Sequence, residues 1–584
     1  VKELSTESRV LMAFLLSIGV MAVWGVFFAP KPQPKPPQPA AVPSGVAQPG
    51  QSPSQSPAST PGQPPATSSQ RPALQAAPQL AASPKAAAEE KIIVIENDLY
   101  RVELSNRGGV VRSWQLKKYV DDHKPPRILD VVHPDTASLL GWPLWITPMD
   151  VTDAQTETYI NNALYVVTPD ASSPRAPGEI AFAWSDGRWA VTKRLTFEHN
   201  YVVSIDTSVT LDGKPVAHAI TWRGGFGDQT VYNPSENVQV FYRVAGKVES
   251  KPVNKLDLLE QNVGAYRHDG GVDYAGIQDR FFAAAFVPRG SGMALWRWRV
   301  EPEVERDGKK EKAPVGEMAA GSTLAGPLAF RLFVGPKERT VLSSLKPPMT
   351  ELVDFGWFSF VAEPLFLFLK WLHTYVPNFG WAIAVMTIAI NMVLFPLKLK
   401  SWRSMQKMQK VAPEIKTIQE KYKKYSLRDP RKQQMNQEVM EVYKREGVNP
   451  MGGCWPMLLQ MPIWISLYQM LLVTIELRHA SWLWIRDLSA KDPYYVLPVL
   501  MAATMYWMQK MTPVTATDPA QQRMMQIMPI MFGGMFIVFP VSSGLVLYIL
   551  TSNVVGIAQQ WFLNHNSPEL AKARAKAEKK AEKK

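Results

Sequence analysis

Two stretches of membrane-grade apolar sequence flank a strongly basic polar insert, and that order leaves few folds open. WAIAVMTIAINMVLFPL (381–397) comes first and NPMGGCWPMLLQMPIWISLYQMLLVTI (449–475) follows, with 14 Lys/Arg against 6 Asp/Glu in the insert between them, 398–447. Loops rich in Lys and Arg stay on the cytoplasmic side of a bilayer. The block therefore predicts an α-helical polytopic membrane protein and gives it an orientation.

A further apolar run, VLMAFLLSIGVMAVWGVFFA (10–29), has about the length that crosses a bilayer core, and no small-residue cleavage site follows it. It reads as a transmembrane signal anchor, 1–29. Other expected spans are 381–397, 456–476, 494–511, 524–539 and 543–562, six in all. An even count puts both termini on one side. The basic insert and the basic tail, 564–584 (7 basic, 3 acidic), make that side the cytoplasm. Insert and tail account for 12 of the formal +13 charge, so the high pI is mostly a topology signal and an affinity for anionic surfaces, with no DNA-binding domain implied.

Between the first two spans the texture changes twice. Residues 30–91 are rich in Pro, Ala, Gln and Ser, cannot bury enough surface to fold, and read as a periplasmic linker of roughly 45 Å root-mean-square reach. From there to 348 short alternating runs recur, among them YRVELSN, VVRSWQL, YVVSIDTSVTL, FFAAAFV and LAFRLFVG. Asn106-Arg107-Gly108-Gly109, Asp212-Gly213 and Asp269-Gly270-Gly271 punctuate them as turns. This predicts a large all-β domain, an antiparallel sandwich over 92–348, exported because it lies between spans. Residues 349–380 contain an aromatic-rich segment interrupted by Glu363-Pro364, expected to lie in the outer interface as an amphipathic helix.

The insert, 398–448, reads as a helical hairpin. Met405, Met408, Ile415, Ile418 and Tyr422 recur at helical spacing, Leu427-Arg428-Asp429-Pro430 turns, and Met435, Val439 and Val442 continue on a second helix. Its cations Lys407, Lys410, Lys416, Arg428, Arg431 and Lys432 suit either solvated outer faces or a docking surface for nascent chains, the ribosome or acidic headgroups. Inside the apolar runs stand Thr387, Asn391, Gln460, Gln469, Ser552 and Asn553, each an interhelical hydrogen bonder by default and together able to line a wet cavity. No carboxylate sits at membrane depth, and no HExxH, Walker loop or GxSxG occurs. The single cysteine, Cys454, excludes an intrachain disulfide and any Cys-based metal cluster. No enzyme activity, cofactor, metal or small-molecule substrate is expected.

VNPMGGCWPMLLQMPIWISLYQML, ELRHASWLWIRDLSAKDPYYVLPVLM, QKMTPVTATDPAQQRMMQIMP and SSGLVLYILTSN together resemble the YidC membrane protein insertase family in its Gram-negative form. The resemblance covers most of 375–563, and more weakly the β domain. It implies a five-helix insertase core, 381–563, around a hydrophilic groove open to cytoplasm and lipid, and a periplasmic β-supersandwich. On the family pattern Thr387, Gln460, Met461, Pro462, Trp464 and Tyr548 match groove or substrate-sliding positions. Asn391 stands where the family usually has an arginine, which leaves the positive charge outside the groove, in the hairpin.

The expected function is that of a membrane protein insertase and chaperone of the bacterial inner membrane. Nascent inner-membrane proteins, lipids, the Sec translocon and the ribosome are the implied partners. A secondary transporter or channel would need paired repeats with broken helices and intramembrane ionisable groups, which the sequence lacks. A sugar-modifying β domain would need a cleft with paired carboxylates.

Overall fold

The computed structural model describes residues 83–565, apart from 150–153, 170–174, 232–236, 260–265, 291, 307–308, 426–428, 448–454, 513–518 and 540. The expected signal anchor at 10–29, most of the linker and nearly all of the basic tail lie outside these residues. The described residues belong to one compact unit.

The β domain begins before Ile92, inside the segment read as linker. Lys85 bridges Ser185, and Glu90 accepts from the Ser105 hydroxyl at 2.6 Å and from Arg107 at 2.8 Å. Four strands, Ile92–Glu96, Tyr100–Ser105, Val110–Val120 and Ile128–Asp130, pair in sequence order as one sheet. Glu303–Arg306 pairs with Lys309–Lys312 as a separate two-stranded sheet, and a fourteen-stranded sheet carries most of the rest. It runs from Trp145–Pro148 through His218–Trp222, Val315–Gly321, Met293–Val300, Tyr266–Gln278, Phe282–Pro288, Leu328–Pro336, Val202–Leu211, Trp189–Phe197 and Gly178–Ser185 to Val166–Thr168, with side pairings along the way. Every strand pairing among these is antiparallel. Alternation shows where one face meets solvent: in Trp189–Phe197 every second residue is buried.

The domain is β-rich rather than all-β, since the short helices Pro134–Leu140 and Ala154–Asn162 interrupt it. The turn Asn106-Arg107-Gly108-Gly109 forms as expected, with both glycines at positive φ, and a side chain added at Gly108 would meet the Asn161 carbonyl at 2.1 Å. Buried Lys193 holds that turn by donating to the carbonyls of Gly108, Gly109 and Leu144 at 2.7, 3.2 and 2.6 Å. Asp269-Gly270-Gly271 is not a turn between strands. It lies inside Tyr266–Gln278, where the register against Met293–Val300 shifts between His268 and Val272. Two successive glycines in the left-handed region make a bulge, which the sequence signal cannot tell from a hairpin.

The remaining chain is helical: α1 Ser359–Tyr375, α2 Phe379–Val393, α3 Phe395–Lys421, α4 Arg431–Arg445, α5 Trp455–Val473, α6 Val496–Met511, α7 Pro519–Val538 and α8 Ser543–His565. Asn378 caps α2, its Oδ1 accepting from the amides of Gly380 and Trp381. Pro396 belongs in the first turn of a helix, where its missing N–H costs nothing, so the chain restarts there and α3 leaves α2 at 55°. Among the described residues one helix, α8, is by itself long and apolar enough to cross a membrane, or two if the bent pair α2–α3 counts as one. The other expected spans that fall on described residues coincide with helices shorter or less apolar than that.

α8 packs against α2, α5 and α6, while α1 bridges α2 and α5. Small residues permit the close approaches: a Cβ on Gly533 of α7 would sit 2.6 Å from that of Ala502 on α6, and one on Gly556 of α8 would sit 3.0 Å from the Met508 sulfur. α3 and α4 form the expected hairpin around Met408, Val411, Ile415 and Val442, with Ile418, Val439 and Tyr443 beside them.

Candidate functional site: a polar row among apolar helices

α8 carries two polar stripes. Tyr548, Ser552 and Gln559 are separated by four and seven residues, and so are Asn553, Gln560 and Asn564 with the order reversed. At 3.6 residues per turn each set shares one face. The second stripe faces α6: Asn553 donates to Thr504 Oγ1 at 3.3 Å, and Gln560 and Asn564 donate to the Met511 carbonyl at 3.3 and 3.1 Å.

The first stripe faces α5 and α2 and gathers most of the residues singled out from the sequence. Gln460 Nε2 donates to the buried Tyr548 hydroxyl at 3.1 Å. One turn along, Asn391 Nδ2 donates to Ser552 Oγ at 3.3 Å and to the Thr387 carbonyl at 2.8 Å. Thr387 is fully buried, and its hydroxyl donates to the Ile383 carbonyl at 2.7 Å, within its own helix. Met461, Pro462 and Trp464 are half-buried on α5, and Trp464 stacks on Tyr468 at 6.4 Å between ring centroids.

Sequence reasoning missed two residues here. Lys398 Nζ donates to Asn391 Oδ1 at 2.6 Å and to Gln559 Oε1 at 3.3 Å, while Gln559 Nε2 donates to the Asn391 carbonyl at 3.1 Å. The expectation that all positive charge stays out in the hairpin is thus corrected. Lys398 sits in the first turn of α3, and the bend at Pro396 turns its side chain back onto α2. Helical spacing does not reveal the pair, because Asn391 and Lys398 lie on separate helices set at 55°.

The hairpin cations Lys407 and Lys410 are exposed on α3, Lys416 likewise, and Arg431 starts α4 with its guanidinium 4.6 Å from the Tyr425 ring. Arg428 and the Lys432 side chain lie outside the described residues. Specific cross-links close the hairpin instead: Tyr422 donates to Glu438 at 2.7 Å and Arg445 to Glu414 at 2.7 Å.

Outward, the helices present large apolar side chains, including Trp381, Val385, Ile388 and Met392 on α2 and Ile530, Met531 and Val538 on α7. Such continuous apolar surface belongs against lipid or a partner rather than water. On α1 the outer side shows Phe360, Leu367, Trp371 and Tyr375, whereas Ala362, Phe366, Leu369 and Leu372 are buried.

The β domain docks on the helices through the segment after α5. Arg478 makes a buried ion pair with Asp228, and His479 Nε2 lies 2.9 Å from Asp122 Oδ1 and 4.0 Å from Asp487 Oδ2. The ligand atoms of that trio lie within 4.8 Å of one another, close enough to share a cation as well as a proton. Arg280 Nε donates to the Leu472 carbonyl in the last turn of α5 at 2.6 Å. A sugar-acting cleft finds no free acid pair at Glu157 and Glu317, because both are paired with Arg223, at 3.1 and 3.3 Å.

An apolar helical bundle threaded by a polar row and joined to a β-rich domain defines a helical membrane protein with a large domain outside the bilayer. The chain belongs to the YidC membrane protein insertase family. The model described as "60Kd inner membrane protein" matches 371–570, and that of the YidC periplasmic domain matches 92–368. The membrane protein insertase YidC of Burkholderia cenocepacia (strain HI2424) is 33% identical over 497 residues, covering 82% of this chain and 85% of its own. That of Paraburkholderia xenovorans (strain LB400) is 34% identical over 490 residues, with the same coverage. A crystal structure of active YidC insertase with its first transmembrane domain resolved aligns at 20% identity and a TM-score of 0.34, over 81% of this chain and 95% of that one.

Proposed function

We propose that this protein is an insertase of the inner membrane, which moves short polar segments of nascent membrane proteins part-way across and releases apolar spans sideways into lipid. The observation that carries this reading is the polar row Gln460–Tyr548–Ser552–Asn391, held within helices whose other sides expose large apolar groups. A polar segment entering such a groove keeps hydrogen-bonding partners where hydrocarbon would leave each unpaired group several kcal/mol worse off. Short helices favour the same task. α2, with 15 residues, is roughly 22 Å long, against about 30 Å for a bilayer core, and short spans thin the bilayer around them.

In this reading the helices from α2 to α8, less the α3–α4 hairpin, make a five-span core. The segment 10–29 adds a sixth span, both termini are cytoplasmic, and α1 lies in the periplasmic interface with its aromatic side towards lipid. The hairpin faces the cytoplasm, where its cations meet ribosome or headgroups, and the Sec translocon is a partner for longer substrates. Gln460, Met461, Pro462, Trp464 and Tyr548 are the substrate-facing side of the groove, with Thr387 and Asn391 behind them.

The test is the full-length protein in liposomes, offered a single-span substrate with a short polar tail, with protection of the tail from added protease as readout. Protection no greater than in protein-free liposomes overturns the reading. Gln460→Ala with Tyr548→Phe is expected to lower it.

A further inference from the structure

The ring of His479 faces two carboxylates with one nitrogen. Its Nε2 lies 2.9 Å from Asp122 Oδ1, a hydrogen bond, and 4.0 Å from Asp487 Oδ2, which is too far for one. A neutral imidazole carries one proton and so serves one of the two acids. The three groups come from separate places. Asp122 belongs to the β domain, where its amide donates to Thr230 Oγ1 at 2.9 Å. His479 stands 357 residues further on, in the segment after α5. Asp487 follows on the far side of a loop closed by two backbone bonds between Trp482 and Ile485, at 2.8 and 2.9 Å, and by the Leu488 amide donating to the Ala480 carbonyl at 3.0 Å. Asp487 Oδ1 accepts from the Ser489 amide at 2.7 Å, which holds the carboxylate with Oδ2 towards the ring.

Neighbouring cations do not complete the set. Arg478 pairs with Asp228, Arg280 donates to the Leu472 carbonyl, and among the described residues neither makes an ion pair with Asp122 or Asp487. With His479 neutral, the trio carries two formal negative charges, the complement of one divalent ion. Its ligand atoms lie from 2.9 Å to at most 4.8 Å apart. A tetrahedral ion with bonds of about 2.0–2.2 Å holds its ligands roughly 3.3–3.6 Å apart, inside that range. One imidazole nitrogen with two carboxylate oxygens is a zinc donor set, the fourth position being left to water, whereas magnesium and calcium favour oxygen ligands throughout. Asp122, His479 and Asp487 keep 41, 30 and 14% side-chain exposure, so an ion enters without unfolding the junction.

We propose that Asp122, His479 and Asp487 form a zinc site, and that the ion clips the β domain to the helical core. Nothing in the sequence groups these residues, because only the fold brings Asp122 to the other two. The clip does not depend on the groove reading given above. An ion that binds only the docked arrangement stabilises it by the factor 1 + [Zn]/Kd.

The full-length protein in detergent, stripped by a chelator and dialysed, is titrated with Zn2+ against a chromophoric zinc indicator. The rate of limited proteolysis within 474–495 is read at each zinc concentration. One equivalent is expected to bind, with proteolysis slowed about tenfold at free zinc ten times the dissociation constant. His479→Gln keeps a donor for Asp122, and Asp487→Asn keeps the acceptor for the Ser489 amide. Each should lose the bound equivalent and the zinc-dependent protection while melting close to the stripped parent. A variant that melts well below it is replaced by Asp122→Asn, for which the same losses are expected. A parent that binds no zinc, binding that survives these substitutions, or binding without protection overturns the proposal. Equal protection by Mg2+ or Ca2+ in place of Zn2+ overturns the assignment of the metal.

Discussion

Arg478 reaches from the segment after α5 into the β domain and pairs with Asp228, both side chains almost wholly out of water at 3% and 1% exposure. Asp228 is in turn tied to the neighbouring turn, its amide donating to Asp279 Oδ2 at 2.9 Å. Breaking such a pair from one side leaves a lone buried charge. Arg478→Ala should therefore destabilise the docked state by about 3–5 kcal/mol, whereas Arg478→Met with Asp228→Leu should cost much less. Thermal unfolding of the purified full-length protein and the rate of limited proteolysis in the segment 474–495 are the measurements. Equal loss in the single and double variants would mean that packing, not charge, holds the interface.

The same interface should loosen in acid. The Asp122 carboxyl is held below its usual 3.8, first by its hydrogen bond with His479, with the Arg478 and His479 charges adding and burial opposing. A carboxyl depressed in the folded state stabilises that state above its unfolded pKa, and the contribution is lost as pH falls through the folded value. No change from this group is expected between about pH 5 and 8, with a loss setting in below about pH 4. Hydrogen exchange of 476–490, corrected for intrinsic rates, should show that loss in the parent chain and not in Asp122→Asn.

Gly380 has no room for a side chain. A Cβ there would sit 2.2 Å from Trp482 Cδ1, and Trp381 already meets that indole edge-on at 5.5 Å. Gly380→Ala should cost about 1–3 kcal/mol by overpacking, read as a lowered melting temperature in detergent. Unchanged stability would show that the segment carrying Trp482 yields.

In the hairpin, packing should outweigh charge. Ile415 is 2% exposed at the centre of the α3–α4 contact, so Ile415→Ala should cost about 2–4 kcal/mol. Glu438→Ala removes an exposed ion pair with Lys421 and a part-buried hydrogen bond from Tyr422, and should matter less. Protease sensitivity around the hairpin turn, at 426–430, ranks the two, and a larger effect of the glutamate would reverse the assignment.

The strands with large alternating side chains were legible, as in Tyr100–Ser105, Val202–Leu211 and Leu328–Pro336. Val315–Gly321 was not. Its VGEMAAG is fully buried between two neighbours, and small residues are chosen there for proximity: a Cβ on Gly321 would sit 2.5 Å from that of Ala219. Helix positions followed hydropathy closely, because length and apolar run are local properties. In the site, Gln460, Asn391 and Tyr548 could be singled out as polar groups in apolar surroundings. Their order along α8 could not, since it depends on which helix lies between which. Lys398 was hidden by its neighbours: it begins a basic run on α3 and differs from that run's exposed members only in the partners it meets on α2 and α8.

Arg280 closes the end of α5 from outside the bundle. Its guanidinium occupies the position where a helix leaves carbonyls unpaired and its dipole is negative. The last turn of α5 is thus completed by a side chain nearly two hundred residues earlier in the chain, on another domain. The C-terminal capping of α5 is consequently a joint property of both domains. A version of the core cut free of its β domain would carry the same α5 sequence but lack the guanidinium that its Leu472 carbonyl meets here.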